Sequence, residues 1–374
     1  MYFYSKLMMY ILLCPISFKG SMTSKEFCLW AQPFLKDRYP QHLISYSVMA
    51  DGGEGSLEAL INVMPDATIH PCEVVDAIHR PLTAHYLTID DTAYVELAIA
   101  SGLSTIEPEH RSLTYSNTFG TGMVIRKAYE AGFRKFVLFC GGSATIDGGT
   151  GILQALGFNL LDAKGNLISD RKNGLLEVVK IVDTGYFRPE SFTLVLDVQN
   201  PLCGEKGAAK VYGPQKAGLN DDLNLLDRAL IDLFKMINQS SSSHHTMDAE
   251  GLGAAGGMAL GLSYFTTKWQ FGKDYFMKLT GLPEKIKAVD WVITGEGKFD
   301  VQSFMGKLTG SVINLCSELN KKCFVICGKN EFPDVPGNVS VIELTSGDLC
   351  ENSMLNPRPS LENALLTVFA NNRE

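Results

Sequence analysis

The chain has 374 residues, 45% of them hydrophobic, enough to bury substantial cores, and its length predicts two domains. A formal net charge of −8 argues against general affinity for nucleic acid or anionic membranes, so an anionic ligand would need a local cluster of backbone N–H, Lys or Arg. The nine cysteines are odd in number, scattered and without a CxxC pair, and read as reduced, buried thiols of a cytoplasmic protein rather than a disulfide or zinc framework.

The chain opens on "MYFYSKLMMYILLC", a charge and an apolar run ending in Cys14, the outline of a lipoprotein signal. Leu13 stands where a cleavage site wants a small side chain, and the run is far short of a membrane span. A buried strand over about Leu7–Cys14 is the expectation, with no targeting segment. Further strand-like runs follow in "HLISYSVM", "TAYVELA", "KFVLFC", "FTLVLDV", "DWVITG", "KCFVICG" and "VSVIEL". Helical patterns such as "TSKEFCLWAQPFL" and "GSVINLCSELNKK" lie between them, predicting an α/β architecture with mostly parallel sheets. The Ser-rich stretch 238–247 reads as a surface loop, and its His244 and His245 as solvated rather than metal-binding. The last 24 residues read as a loop followed by an amphipathic packing helix.

Ligands of open α/β sheets collect beyond the carboxyl ends of the strands. Four strand ends here carry glycine beside a carboxylate, amide, hydroxyl or lysine: "DGGEGS" (51–56), "GGSATIDGG" (141–149), "QNPLCGEKG" (199–207) and "GEGKFDVQSFMGK" (295–307). Glycine lets the backbone approach phosphate oxygens with no Cβ in the way. The carboxylates Asp51, Glu54, Asp147, Asp197, Glu296 and Asp300 make sense beside a phosphate if Mg²⁺ lies between, or if one is a base. Lys19, Lys216 and Lys307 could neutralise phosphate charge, which completes the parts that phosphoryl transfer needs. Each part also has a plain structural reading: a turn, a surface lysine, Asp147 as a helix cap, "GLGAAGGMALGL" (251–262) as close packing. A P-loop is absent, since Val301 stands where its first glycine belongs; no GxGxxG follows a strand, and the protein-kinase motif set is not recognisable.

Taken in order, "SFKGS", "ADGGEGS", "ASGL", "GTG", "GGSATIDGGTGILQALG", "GPQK", "GAAGGM" and "ITGEGKFDVQS…GK" resemble the bacterial glycerate kinase family over about residues 7–330. The resemblance implies MgATP-dependent phosphorylation of D-glycerate to 2-phosphoglycerate in the cytoplasm, with no nucleic-acid or membrane partner and room for a homo-oligomer. It implies two α/β lobes: a discontinuous one from residues 1–62 and 288–374, and an inserted flavodoxin-like one from 63–287, with the active site in the cleft between them. On this reading Asp197, Lys19, Asp51 and Glu296 are catalytic, with Asp197 nearest the reacting hydroxyl. Ser17, Gly52, Gly53, Gly141, Gly142, Ser143, Asp147, Lys216, Asp300 and Lys307 hold substrate or phosphate, and Asp51, Glu54, Asp197 and Glu296 supply Mg²⁺ ligands. The chain departs from the family pattern at Ile16 (usually Asp), Ile146 (usually Asn) and Met123 (usually Glu). Those three changes motivate the alternatives of an impaired homologue that only binds nucleotide or a sugar acid, or a kinase for another small hydroxy acid. A nicotinamide-dependent dehydrogenase is a distant alternative.

Overall fold

A computed structural model describes residues 8–18, 20–216, 221–240, 245–266, 268–304, 307–332, 335–344 and 356–371. The chain divides into two compact units: residues 1–51, 58–63 and 273–374 form the first, and 52–57 with 64–272 the second.

The first unit begins with β1 (Tyr10–Leu13), α1 (Ser24–Arg38) and β2 (Leu43–Tyr46). Helix α1 starts at a capping box: Glu26 N–H donates to Thr23 Oγ1 at 3.1 Å, and Thr23 N–H to Glu26 Oε2 at 2.8 Å. Helix α2 (Ser56–Val63) follows and passes from one unit to the other along its length.

The second unit contains β3 (Thr68–Val75), β4 (Pro81–Ile89), β5 (Thr92–Glu96), α3 (Leu97–Ser101), α4 (Phe119–Glu130) and β6 (Lys135–Phe139). It continues through α5 (Thr150–Ala155), β7 (Phe158–Leu161), β8 (Lys180–Asp183), β9 (Ser191–Leu196) and α6 (Ala208–Lys216). It ends with α7 (Leu223–Ser240), α8 (Ala254–Gly261) and β10 (Trp269–Phe271). Its main sheet runs β10-β9-β6-β5-β4-β3, parallel from β10 to β5 and antiparallel through β4 and β3. The sheet is thus mixed, with most of its pairs parallel as the sequence pattern suggested. The short turn at Asp90–Asp91 joins β4 to β5 directly, and a parallel pair would need a crossover there. A large apolar core, including Leu138, Leu194, Ile152 and Leu260, lies in this unit beside a small cluster of Ala77, Ile106 and Ala144.

After α9 (Gly272–Thr280) and α10 (Leu282–Lys287) the chain builds the rest of the first unit: β11 (Trp291–Phe299), α11 (Leu308–Glu318), β12 (Lys322–Asn330), β13 (Val339–Glu343) and α12 (Pro357–Ala370). Its five strands are all parallel in the order β13-β12-β11-β1-β2. Helices α1 and α12 bury Phe27, Leu35, Leu365 and Phe369 against Ile11, Ile293 and Phe324 of this sheet. The strand order reverses between β1 and β11, the position at which open α/β sheets leave a crevice beyond the strand ends.

Candidate active site

In the second unit β5, β6 and β9 are neighbours, so their carboxyl ends deliver Glu96, the glycine loop from Gly141, and Asp197 side by side. The segment 52–57 lies against them: Gly141 N–H donates to Gly52 O at 2.9 Å, and Glu96 accepts from Gly55 N–H at 3.0 Å and Leu57 N–H at 2.9 Å. A Cβ on Gly141 would stand 2.5 Å from Gly53 Cα and 2.7 Å from Asp197 Oδ2, so only glycine permits this approach. Gly52, Gly53, Gly141 and Asp197 therefore meet at one corner.

The loop after Gly141 is built around a lysine. Lys216, on the last residue of α6, is 5% exposed and donates from Nζ to Ser143 Oγ at 2.7 Å and to Thr145 O at 3.1 Å. Its ammonium also lies 6.0 Å from the Tyr212 ring centroid. Gly142 adopts φ +76° and is the one partly exposed residue of 141–149. Leu103 N–H donates to Gly142 O and Ala144 N–H to Ser101 O, yet among the described residues no acceptor takes the N–H of Gly142 or Ser143. Two unclaimed donors beside a fixed ammonium are chemically suited to an anion. Tyr212 O–H donates to Asn200 Oδ1 at 2.7 Å, and burial, with Asp197 adding, pushes the phenol well up.

Asp147 has a different job. Its carboxylate is fully buried and accepts from Thr118 N–H (2.8 Å), Thr118 Oγ1 (2.7 Å), Gly151 N–H (3.1 Å) and Gly149 N–H (3.2 Å). It ties the start of α4 to the start of α5; burial nevertheless raises its pKa. The "GAAGGM" segment packs on the same loop. Ala255, Gly256 and Gly257 have φ of 50°, 72° and 81°, and a Cβ on Gly256 would meet Thr145 O at 2.2 Å. Close packing is what this glycine run provides.

In the first unit Glu296 lies on β11, three residues beyond the last one paired with β1. It is 3% exposed; Oε2 is 3.6 Å from Lys307 Nζ, while Oε1 is buried with no hydrogen-bond partner among the described residues. Burial raises its pKa; Lys307 and the nearby Ser303 and Thr309 hydroxyls pull it back, and the negative field of Asp51 raises it further. Among the described residues Thr309 Oγ1 is likewise buried without a hydrogen-bond partner. Ser17 follows Ile16, whose N–H donates to Gly295 O at 2.9 Å, which keeps Ser17 beside β11. Asp300 lies 3.4 Å from Lys298 Nζ, and its N–H donates to Ser303 Oγ at 3.2 Å. Lys19 lies outside the described residues, as does His244.

Of the four carboxylates expected to bind Mg²⁺, Asp51 and Glu296 belong to the first unit, Glu54 and Asp197 to the second. Among the described residues no group of three or more His, Cys, Asp or Glu is gathered as a metal cage. The unclaimed Oε1 of Glu296, with Asp51 near it, suits Mg²⁺, which takes one or two carboxylates and completes its shell with water and substrate phosphate.

Sequence reasoning missed Glu96, whose signal was an acid inside the apolar run "TAYVELA". It also missed Thr118 and Tyr212; neither stands in a recognisable motif, and only the fold brings them in. Ile146 is fully buried in the core of its unit, Met123 packs partly against that core, and Ile16 is 7% exposed.

With this geometry in place, comparison with known proteins defines the class. The family model described as "Glycerate kinase family" matches residues 11–363, and the chain belongs to this family of kinases. A glycerate kinase of Haemophilus influenzae is 36% identical over 327 residues, covering 86% of each chain. The glycerate 2-kinase of Escherichia coli is 33% identical over 327 residues, 86% of this chain and 85% of that one. A crystal structure from Salmonella typhimurium LT2, provisionally named glycerate kinase 2, superposes with a TM-score of 0.74 at 31% identity, covering 98% of this chain and all of that one. No helix among the described residues is long and apolar enough to cross a membrane.

Proposed function

We propose that this chain is a cytoplasmic glycerate 2-kinase that transfers the γ-phosphoryl group of MgATP to the 2-hydroxyl of D-glycerate. The observation that carries the reading is the cradle at Gly142–Ser143. There the Lys216 ammonium and two unclaimed N–H groups stand beside the corner where Asp197 meets Gly141. Such a cradle holds a phosphate or a carboxylate, and Asp197 is the base placed to take the proton of the attacking hydroxyl. In the other unit Asp51 and Glu296 would hold Mg²⁺, and Lys307 would offset charge on the transferred phosphoryl group. Bound Mg²⁺ supplies neutralisation of charge on the phosphate oxygens as the bond to the leaving ADP breaks. The hydroxyl oxygen gains phosphorus, its proton passes to Asp197, and ADP departs. The apolar residues at 16, 123 and 146 do not favour an impaired homologue, because Ile146 faces the core and the other two are largely covered.

The test is ADP release from the purified protein with MgATP and D-glycerate, with L-glycerate and no acceptor as controls, and NMR of the product. Stereospecific turnover to 2-phosphoglycerate is expected, and Asp197→Asn should lower it by roughly 10²–10⁴. ATP binding without turnover of D-glycerate would replace the reading with a non-catalytic homologue or another hydroxy-acid substrate.

A further inference from the structure

We propose that Glu96 is a positioning residue for phosphoryl transfer: its buried carboxylate clamps the segment Gly52–Leu57 against the corner formed by Gly141 and Asp197. This rests on the kinase reading above. Before α2 the segment makes one turn of its own, Ser56 donating to Gly53 O from Oγ at 2.7 Å and from N–H at 3.3 Å, and both Gly52 and Gly55 sit in the left-handed region, at φ +91° and +87°. It is held at two ends. Gly52 O accepts from Gly141 N–H, and toward the other end Glu96 Oε1 takes Gly55 N–H and Oε2 takes Leu57 N–H. These two contacts span 41 and 39 residues of sequence, so they are tertiary ties and not a local helix cap.

The choice of a carboxylate is informative. Glu96 is 5% exposed and makes no ion pair among the described residues, so the charge is buried at a cost. Two cations of the neighbouring β6 and α4 are engaged elsewhere. Lys135 pairs in register with Thr92 at the far end of β5 and is bound to Asp91; Arg126 on α4 is bound to Glu130. Glu54, within the clamped segment, adds a repulsive field. What the charge provides is an acceptor on each oxygen, so that two N–H groups are fixed at once; an amide offers one acceptor and turns a donor toward the other N–H. The Gly53 backbone thereby stays pressed where a Cβ on Gly141 would not fit, which is the arrangement Asp197 depends on. Displacement of a reacting group by about 1 Å can cost about 10²-fold in rate.

Glu96→Gln separates this role from ordinary packing. At pH 8, amide exchange in peptides covering 52–58 should accelerate by more than about tenfold while the remainder of the second unit keeps its protection. kcat should fall about 10–100-fold with KM for ATP within about threefold, and Tm should hold or rise because a buried charge is removed. Glu96→Asp, which keeps the charge and shortens the reach, gives the same readouts if the Gln variant does not fold. Unchanged exchange in 52–58, or faster exchange with unchanged kcat, overturns the proposal. So does a general loss of protection with a lowered Tm, which would make Glu96 a structural cap. Wild-type turnover of D-glycerate is measured beside it: its absence removes the kinase reading, while the exchange experiment still decides the clamp.

Discussion

Two buried carboxylates in glycine-rich, strand-end segments look alike in sequence and differ in what surrounds them. Asp147, in 141–151, accepts from Thr118, Gly149 and Gly151 and has both oxygens occupied. Glu296, in 295–307, has one oxygen facing Lys307 at 3.6 Å and the other with no hydrogen-bond partner among the described residues. Burial raises the pKa of both, so the shift alone does not tell a structural acid from a reactive one. The spare oxygen does. A fully satisfied carboxylate has spent its acceptor capacity on the fold, and an unsatisfied one has capacity left for a ligand.

Glu296→Gln tests the reactive side of this contrast and carries the largest expected effect among the three acids Glu296, Glu96 and Asp147. Turnover should drop by about 10²–10³, since one interaction made to the charge of the transition state is typically worth that much. Stability should be kept or raised, because the variant removes a buried charge whose lysine is 28% exposed and can hydrate. Steady-state kinetics and a thermal melt on the same preparation check both halves. A lowered Tm with kcat within threefold would place Glu296 in Asp147's class.

Glu96 sharpens the comparison from a third position, because its two oxygens are satisfied and it is still pushed up to about 7 by burial, with Glu54 adding to the shift. The folded pKa lies above the usual value of 4.5, so the folded state binds the extra proton. Its contribution to stability is therefore fully present below about pH 4.5 and is lost as pH rises through about 7. Urea unfolding from pH 5 to 8 should show stability falling by up to about 3 kcal/mol more in the wild type than in Glu96→Gln. Parallel curves would show that Glu96 ionises in the folded protein much as it does in the unfolded chain.

The same distinction explains what could be read from the sequence. The α/β class and eight strands were legible because each strand is a compact apolar run, and the family because its glycine motifs occur in order. Strands β3 and β4 were not, since "TIHPCEVV" and "PLTAHYLTI" carry exposed polar positions and a proline. Residue type singled out Lys216 and Glu296 as candidates. It did not show that Asp147 faces inward to Thr118, 29 residues away, or that Glu96 reaches Gly55 across 41. Hydrogen bonds of such span leave no periodic trace, and the acids that make them resemble any other acid at a strand end.

Asp147→Asn carries the smallest effect and is the strictest control on the structural side. The substitution keeps size and one acceptor, but each carboxylate oxygen already takes an N–H, Oδ2 from Thr118 and Gly151 and Oδ1 from Gly149. Whichever way the amide turns, its NH₂ group faces a donor, so at least one buried N–H loses its acceptor. The cost should be about 1.5–3 kcal/mol, the range for hydrogen bonds to a charged group, read as a lower urea midpoint with an unchanged m-value. The molecules that remain folded should turn over at near wild-type kcat, because Ser143 Oγ and Thr145 O, which Asp147 does not supply, take hydrogen bonds from the ammonium of Lys216. A large loss of kcat at full stability would reverse the assignment and return Asp147 to the ligand-binding set.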